Sequence, residues 1–276
     1  MRIDGHQHFL NYPLFPNDYP WMVDQYAVLK NEYAPEQLSS TLTQCNIDGT
    51  VVVQARQSLQ ETDWLLSLAN QYPWILGVVG WIDLCDEALS EQLNHYHTHT
   101  KLKGFRHLIQ DEHDAHFMLN DNFQRGISTL QTYHYTYDLL IKPFHLPATI
   151  ELVSNFPKQQ FIINHMAQPN VKHQTLSGWK DEIEKLAEHK NVYCKMTFIT
   201  SELANNWSEK DFHLYFDIIL NAFGEHRLVY GSDWPVSLIK ASYEEQYNII
   251  NRYLSSKPLQ AREKILGLNA KHFYRL

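Results

Sequence analysis

The chain opens with Ile3-Asp4-Gly5-His6-Gln7-His8, a stretch that reads as a short β-strand. Side chains two residues apart on a strand project from the same face, about 6.6 Å apart, so His6 and His8 would point to one place. The alternative is a frayed terminus with both histidines in solvent, in a chain that has 16 histidines. The strand is favoured because short apolar runs that end in polar residues recur along the chain. We therefore expect the chemistry at the end of this strand.

Seven further strand-like runs follow, and a helical pattern separates each from the next. Strict alternation of this kind is typical of a parallel sheet with crossover helices. Eight repeats in 276 residues favour a closed (β/α)₈ TIM barrel over an open sheet, because such barrels take about 250 residues. No glycine-rich phosphate loop follows the first strand, and no domain-sized linker interrupts the chain. The sequence therefore predicts one domain, residues 1–276, with later strands near 50–54, 75–82, 102–108, 137–141, 161–164, 192–196 and 228–231.

The segment from Phe9 to Ala34 is rich in proline and aromatic residues. It has too many turn formers for a helix and too many aromatic residues for a linker, so we expect a packed loop over the end of the first strand. A lid and a simple crossover packing both remain open for it.

Charge and composition exclude several classes of partner. The net charge of −8 disfavours nucleic acid and anionic membranes, which recruit basic surfaces. No apolar run approaches 18 residues, and no signal peptide is evident at the start. Three scattered cysteines show no zinc-binding spacing and fit a reducing compartment. We expect a soluble cytoplasmic protein acting on a small molecule; the oligomeric state is left open.

The active site of such a barrel lies where the strands end, so polar residues there are the candidates. Trp81 and His107 lie at the ends of the third and fourth strands and are expected to contact the substrate. The remaining candidates at strand ends are His6, His8, Arg106, Lys142, His145, His165, Lys195 and Asp233. A row of histidines (His95, His97 and His99) precedes the fourth strand and would fall at the opposite end of the barrel.

Imidazoles with one carboxylate are the ligand types of a mononuclear site for Zn²⁺ or a similar divalent ion. The predicted ligands are His6, His8, His165 and Asp233, with His145 as a further candidate. A metal-free site is the alternative, in which the histidines donate hydrogen bonds to a carbonyl and Asp233 activates water directly. Lys101 and Lys103 lie at the start of the fourth strand, which disfavours a lysine-bridged pair of metals.

Asp233 is the candidate catalytic base, with His165 beside it. It lies in Gly231-Ser232-Asp233-Trp234-Pro235, where glycine and proline end the strand and fix a turn. A turn-stabilising role for this carboxylate is the alternative. The cations Arg106, Lys195 and Lys142 suit an anionic or polyhydroxylated substrate. For either lysine, a solvated charge at the rim remains open.

With these residues assembled, the chain resembles the amidohydrolase superfamily. Within that superfamily it is most similar to the sugar-lactonase-like branch, which includes fuconolactonases and pyrone-dicarboxylate lactonases. The resemblance spans nearly the whole chain in family order. It is carried by residues 4–9, Gln54-Ala55 with 61–66, residues 104–112, Asn164-His165 with Pro169, Lys195, residues 231–235 and Asn269-Ala270.

The resemblance implies a (β/α)₈ hydrolase of lactones, with His6, His8, His165 and Asp233 at the active site and Arg106 near the substrate. Two departures touch the substrate pocket. Asn164-His165 and Gln168-Pro169 replace the family's Asp-His and Lys-Pro, and Met196-Thr197-Phe198 replaces the serine and glycine that commonly follow the strand-seven lysine.

Hydrolysis of a sugar-derived lactone is the function these residues favour. Two alternatives stay open. One is a metal-dependent decarboxylase of an unsaturated acid, a reaction that related amidohydrolase branches carry out. The other is a ligand-binding barrel without turnover, which the joint presence of His6, His8 and Asp233 disfavours.

Overall fold

The computed structural model describes residues 1–197 and 207–276; Phe198 of the departure named above lies outside them. Eight parallel strands form one sheet whose order follows the sequence. They are β1 (Ile3–Gln7), β2 (Gly49–Val53), β3 (Ile75–Gly80), β4 (Leu102–His107), β5 (Thr136–Leu139), β6 (Phe161–Ile163), β7 (Val192–Met196) and β8 (Leu228–Tyr230).

The last strand returns to the first and completes the ring. The His8 amide donates to the Trp234 carbonyl (2.6 Å), and the Asp233 amide donates to the His6 carbonyl (2.8 Å). The buried Asp4 carboxylate accepts hydrogen bonds from the His6 and Ser232 amides across the same junction. Burial raises the pKa of Asp4 to about 6, although these hydrogen bonds oppose the rise. The predicted (β/α)₈ barrel is confirmed.

A helix follows each strand and packs on the outside of the ring. Their apolar faces are buried, as Leu38 and Leu42 of the first helix show. The helices are α1 (Pro35–Gln44), α2 (Leu59–Gln71), α3 (Leu89–Tyr96), α4 (Asp121–Thr132), α5 (Leu146–Asn155), α6 (Trp179–Glu188), α7 (Lys210–Phe223) and α8 (Tyr243–Ser255). Within the described ranges, no helix is long and apolar enough to cross a bilayer.

The C-terminal tail covers the end of the barrel where the strands begin. It contains the helices Leu259–Glu263 and Asn269–Tyr274, with a π-helical turn between them, and none of these was predicted from the sequence. Phe273 and Tyr274 join a cluster of interior strand residues. Lys103 Nζ donates to the Arg275 carbonyl (3.1 Å), which ties the tail to the start of β4.

The segment between β1 and α1 lies over the opposite end. Its two ends, Leu10–Asn11 and Glu32–Tyr33, pair as a short antiparallel ladder. Arg56, which follows β2, anchors it: the guanidinium donates to Asp18 (2.8 Å) and lies 4.0 Å over the Phe15 ring. The segment is thus the packed loop that the sequence predicted, held against the mouth where the strands end.

Candidate active site

His6 and His8 point to one place, as the strand pattern predicts. Their Nε2 atoms lie 3.1 Å apart, and both rings are buried. The His8 Nδ1 atom lies 2.7 Å from the Val53 carbonyl, which can only accept, so this nitrogen carries the proton. The lone pair of His8 is therefore on Nε2, which faces His6.

His165 and Asp233 complete a cluster around one carboxylate oxygen. The Oδ1 atom of Asp233 lies 3.3 Å from Nε2 of His8, 3.6 Å from Nε2 of His6 and 3.8 Å from Nε2 of His165. His6, His165 and Asp233 place their ligand atoms within 4.8 Å of one another. Three imidazoles and one carboxylate at the ends of β1, β6 and β8 thus converge at the barrel mouth.

The ionisation states of these four residues suit metal binding. Burial lowers the pKa of all three histidines, that of His165 to about 4, so the rings are neutral near pH 7. For Asp233, burial acts to raise the pKa, but the neighbouring His165, His8 and Arg106 outweigh it and hold the pKa below its ordinary value. Neutral imidazoles and an ionised carboxylate are the forms that bind a divalent metal.

The donor set fits a divalent metal. Two ligand atoms at about 2.0 to 2.1 Å from one tetrahedral ion lie roughly 3.3 Å apart, near the separations of Asp233 Oδ1 from His8 and His6. The fixed Nδ1 proton of His8 is the usual outer contact of a metal-binding histidine. These residues can hold Zn²⁺.

The backbone that presents His165 and Asp233 is strained. His165, Met166, Ala167 and Gln168 have consecutive φ values between 51° and 59°, and Asp233 has φ 56°. For residues other than glycine, the left-handed region costs roughly 1–2 kcal/mol per residue. Strain of this kind persists only where surrounding contacts hold it, and it often marks functional sites.

A buried ion pair lies directly behind His6. Lys195 Nζ is 2.9 Å from His6 Nδ1 and 2.5 Å from Asp138 Oδ2, and neither Lys195 nor Asp138 is exposed. Burial lowers the pKa of Lys195 to about 8, against the pull of Asp138. Asp138 also accepts hydrogen bonds from Asn164 (2.9 Å) and from the Tyr274 hydroxyl (2.9 Å). The pair therefore supports His6 from the barrel interior.

Arg106 lies beside the cluster at the end of β4. Its guanidinium donates to Gln54 Oε1 (3.1 Å) and Asn164 Oδ1 (3.1 Å) as well as to the Gln54 carbonyl. Its Nη1 atom is 3.4 Å from His6 Nε2. Arg106 thus brings a fixed positive charge to the edge of the cleft, where it can stabilise developing negative charge.

The cluster opens into a cleft of about 210 Å³. One part of its lining is polar, with Gln110 and Gln168 joined by a 2.6 Å hydrogen bond and Lys142 nearby in the wall. Another part is apolar. The lining residues are His8, Trp21, Tyr26, Ala55, Arg106, Leu108, Gln110, Leu140, Lys142, His165, Gln168, Asp233, Val236 and Ile239.

The structure places four of the predicted site residues away from the cleft lining. Lys195 does not reach the cleft, because it is engaged by Asp138 and His6 beneath the site. Trp81 and His107 do not line the cleft either: Trp81 Nε1 is 3.4 Å from His107 Nδ1, and His107 Nε2 is 2.7 Å from Glu112. The side chain of His145 stands apart from the ligand group, with Nδ1 accepting from the Lys142 amide.

Sequence reasoning also missed residues that build the site. Asp138 interrupts the apolar run of β5, and a carboxylate at such a position is a recognisable signal of an internal partner. Gln168 was noted only as a family departure, and Trp21 and Tyr26 only as part of the packed loop. No sequence pattern indicated a role for Tyr274, because its contact with Asp138 depends on how the C-terminal tail packs against the barrel.

Comparisons with known proteins agree with this architecture. The L-fucono-1,5-lactonase of Burkholderia multivorans is 33% identical over 290 residues, covering 100% of this chain and 96% of the relative. The L-fucono-1,5-lactonase of Burkholderia ambifaria is 28% identical over 282 residues, with 100% and 96% covered.

A crystal structure of an amidohydrolase from Burkholderia multivorans with bound zinc superposes with a TM-score of 0.94 at 33% identity, covering 100% of this chain and 99% of that one. The family described as "Amidohydrolase" matches residues 3–276. With the barrel, the histidine pair at the end of β1 and the aspartate after β8 in place, the chain belongs to the amidohydrolase family.

Proposed function

We propose that this protein hydrolyses a sugar-derived lactone, an aldono-1,5-lactone of a six-carbon sugar acid. The observation that carries the proposal is the cluster of neutral imidazoles around the ionised Asp233 carboxylate, opening into a cleft. The cleft volume of about 210 Å³ lies below the roughly 300–1,000 Å³ of pockets for drug-sized ligands and suits one monosaccharide unit. The names of both Burkholderia relatives support the 1,5-lactone.

The same residues would hold the cofactor. We propose that His6, His8, His165 and Asp233 bind one divalent ion, and the zinc in the related crystal structure supports Zn²⁺. When bound, such an ion supplies Lewis-acid chemistry, lowering the pKa of water and polarising a carbonyl. His145 is left out of this set, because its Nδ1 atom accepts from the Lys142 amide and its Nε2 atom therefore carries the proton.

In the reaction, Asp233 is the general base. Its carboxylate is ionised near neutral pH and takes a proton from the attacking water. The water oxygen adds to the lactone carbonyl, and the oxygen of that carbonyl gains negative charge. Arg106, with its guanidinium fixed by Gln54 and Asn164, stabilises that charge from the cleft wall.

Collapse of the tetrahedral species breaks the ring ester bond. Asp233, now protonated, returns its proton to the ring oxygen, so that the product is an open-chain hydroxy acid. A lactone suits one carboxylate that serves as base and then acid, because an alkoxide leaves more readily than an amine. Lys142, Gln110 and Gln168 offer donors to the ring hydroxyl groups.

A pH-indicator assay across aldono-1,5- and 1,4-lactones, run with and without a chelator, tests the proposal. We expect hydrolysis of at least one six-carbon 1,5-lactone, loss of the activity after chelation and its recovery with Zn²⁺. Absence of hydrolysis across the panel with zinc-loaded protein refutes lactone hydrolysis. Release of carbon dioxide from unsaturated acids would point instead to the decarboxylase alternative.

For the setting in the cell, we propose the cytoplasm. The support is that Cys45, Cys85 and Cys194 are all free thiols. A small-molecule substrate remains the expected partner.

A further inference from the structure

The turn after β6 is the most strained segment at the site, and it presents two cleft-lining side chains. His165 and Gln168 lie at its ends, and the Gln168 amide donates to the His165 carbonyl (2.8 Å). The two residues between them, Met166 and Ala167, are fully buried. All four residues have left-handed φ values, and none is glycine. Such a turn needs an outside contact to persist.

One such contact comes from the helix outside the barrel. Trp179, the first residue of α6, is 1% exposed, and its indole Nε1 donates to the Met166 carbonyl (2.7 Å). The carbonyl belongs to the middle of the left-handed turn, where a right-handed backbone would point it elsewhere. The indole ring packs against the Tyr215 ring of α7, with the two ring centroids 5.3 Å apart.

We propose that Trp179 is a positioning residue for the active site, which holds the left-handed turn so that His165 reaches the metal-ligand cluster and Gln168 reaches the cleft. Trp179 touches neither the cleft nor the proposed ligands and acts only through the Met166 carbonyl. The expected effect of Trp179 on zinc binding rests on the metal part of the proposed function. Its effect on the conformation of the turn does not.

The structure offers a matched control. Tyr215 donates its hydroxyl proton to the Asn170 carbonyl (3.1 Å), further along the same loop and outside the left-handed turn. Tyr215→Phe therefore removes an aromatic donor to a loop carbonyl just as Trp179→Phe does. Both variants lose one hydrogen bond, and Trp179→Phe also leaves a small cavity, but only Trp179→Phe releases the turn.

A glycine substitution at Ala167 supplies a rescue. Glycine adopts positive φ without a steric penalty, so a turn with glycine at this position needs less support. Ala167→Gly should therefore reduce the damage done by Trp179→Phe. Ala148→Gly, in the right-handed helix α5, is the control for glycine itself and should rescue nothing.

The first experiment measures the zinc dissociation constant of metal-stripped protein by competition with a fluorescent chelator. We expect Trp179→Phe to weaken zinc binding about tenfold, Tyr215→Phe to stay within twofold of the parent, and Ala167→Gly added to Trp179→Phe to recover at least threefold. Equal effects of Trp179→Phe and Tyr215→Phe on zinc binding would overturn the proposal, because Trp179 would then contribute stability alone.

The second experiment does not depend on zinc. It measures the urea unfolding midpoints of Trp179→Phe, of Ala167→Gly and of the variant that carries both changes. We expect non-additive changes, with Trp179→Phe lowering the midpoint less in the Ala167→Gly background; additive changes would overturn the proposal. If the parent binds no zinc, the metal part of the proposed function fails, and this cycle decides the role of Trp179. If Trp179→Phe does not fold, a folded double variant supports the proposal and an unfolded one refutes it.

Discussion

Asp233 Oδ1 lies 3.3 Å from His8 Nε2, and this contact joins the segment after the last strand to the end of the first. The His8 proton is held on Nδ1 by the Val53 carbonyl, so the two facing atoms are both lone-pair donors. Two such atoms at this separation need a cation or a proton donor between them, which is what a metal or a reacting water supplies.

Asp233→Asn removes the base while keeping the size of the side chain. We expect kcat/KM for the lactone to fall about 10²- to 10⁴-fold, because general acid–base catalysis contributes about that much. Asp181→Asn, an exposed change in the first turn of α6, should leave the rate unchanged. An Asp233→Asn enzyme with parental kcat/KM would contradict the assigned base.

Gly231 lets β8 approach β1 closely. A Cβ atom at this position would lie 2.6 Å from the His6 Cβ atom and 3.2 Å from the His6 amide nitrogen. Gly231→Ala should therefore displace His6, lower stability by about 1–3 kcal/mol and weaken zinc binding.

Gly224→Ala provides a contrast for that variant. Gly224 has φ 67° with open space around its Cα, so an alanine there strains only the backbone. Urea unfolding and zinc titration of both variants check the difference. Equal zinc affinities in Gly231→Ala and the parent would show that His6 has not moved.

Lys142 is the lysine of the cleft wall and a candidate donor to substrate hydroxyl groups. Lys142→Met should raise KM about tenfold, the value of one charged hydrogen bond, with a smaller change in kcat. Lys172→Met, at an exposed position, is the matched control. Steady-state kinetics distinguish the two, and a loss confined to kcat would argue against a binding role.

Glu61 gives a pH dependence of stability. Its carboxylate accepts from the Ala55 and Arg56 amides, but burial outweighs these bonds and raises its pKa from 4.5 to about 7. The folded state therefore binds the proton more tightly than the unfolded state between these values. This contribution is fully present below about pH 4.5 and is lost as pH rises through 7, with a size of about 3 kcal/mol.

Glu61→Gln cannot titrate, so its free energy of unfolding should lose that slope. Urea unfolding at pH 5, 6 and 8 measures it, with exposed Glu151→Gln as the control that keeps the parental slope. Parallel slopes for Glu61→Gln and the parent would show that Glu61 does not titrate in this range.

The site could be predicted where strand order alone decides it. In a parallel barrel, all strand ends meet at one mouth, so His6, His8, His165 and Asp233 had to approach one another once eight strands were recognised. The same rule placed Arg106 and Lys142 at the cleft. It also placed His95 and its neighbours at the other end.

Depth along a strand could not be predicted in this way. Alternation tells which face a side chain takes but not which layer of the interior it reaches. Lys195 faces inward as expected, yet it ends against Asp138 below the cleft. Trp81 instead hydrogen-bonds to His107, and His107 in turn hydrogen-bonds to Glu112.

The barrel and the converging histidines and aspartate could be read from the amino-acid sequence, because the burial pattern of each strand and the order of the strands follow the linear chain. Tertiary structure alone decided the left-handed turn at His165, the wall formed by Trp21 and Tyr26, and the contact of Tyr274 with Asp138. These depend on packing between segments far apart in the chain, whose energies no local pattern records.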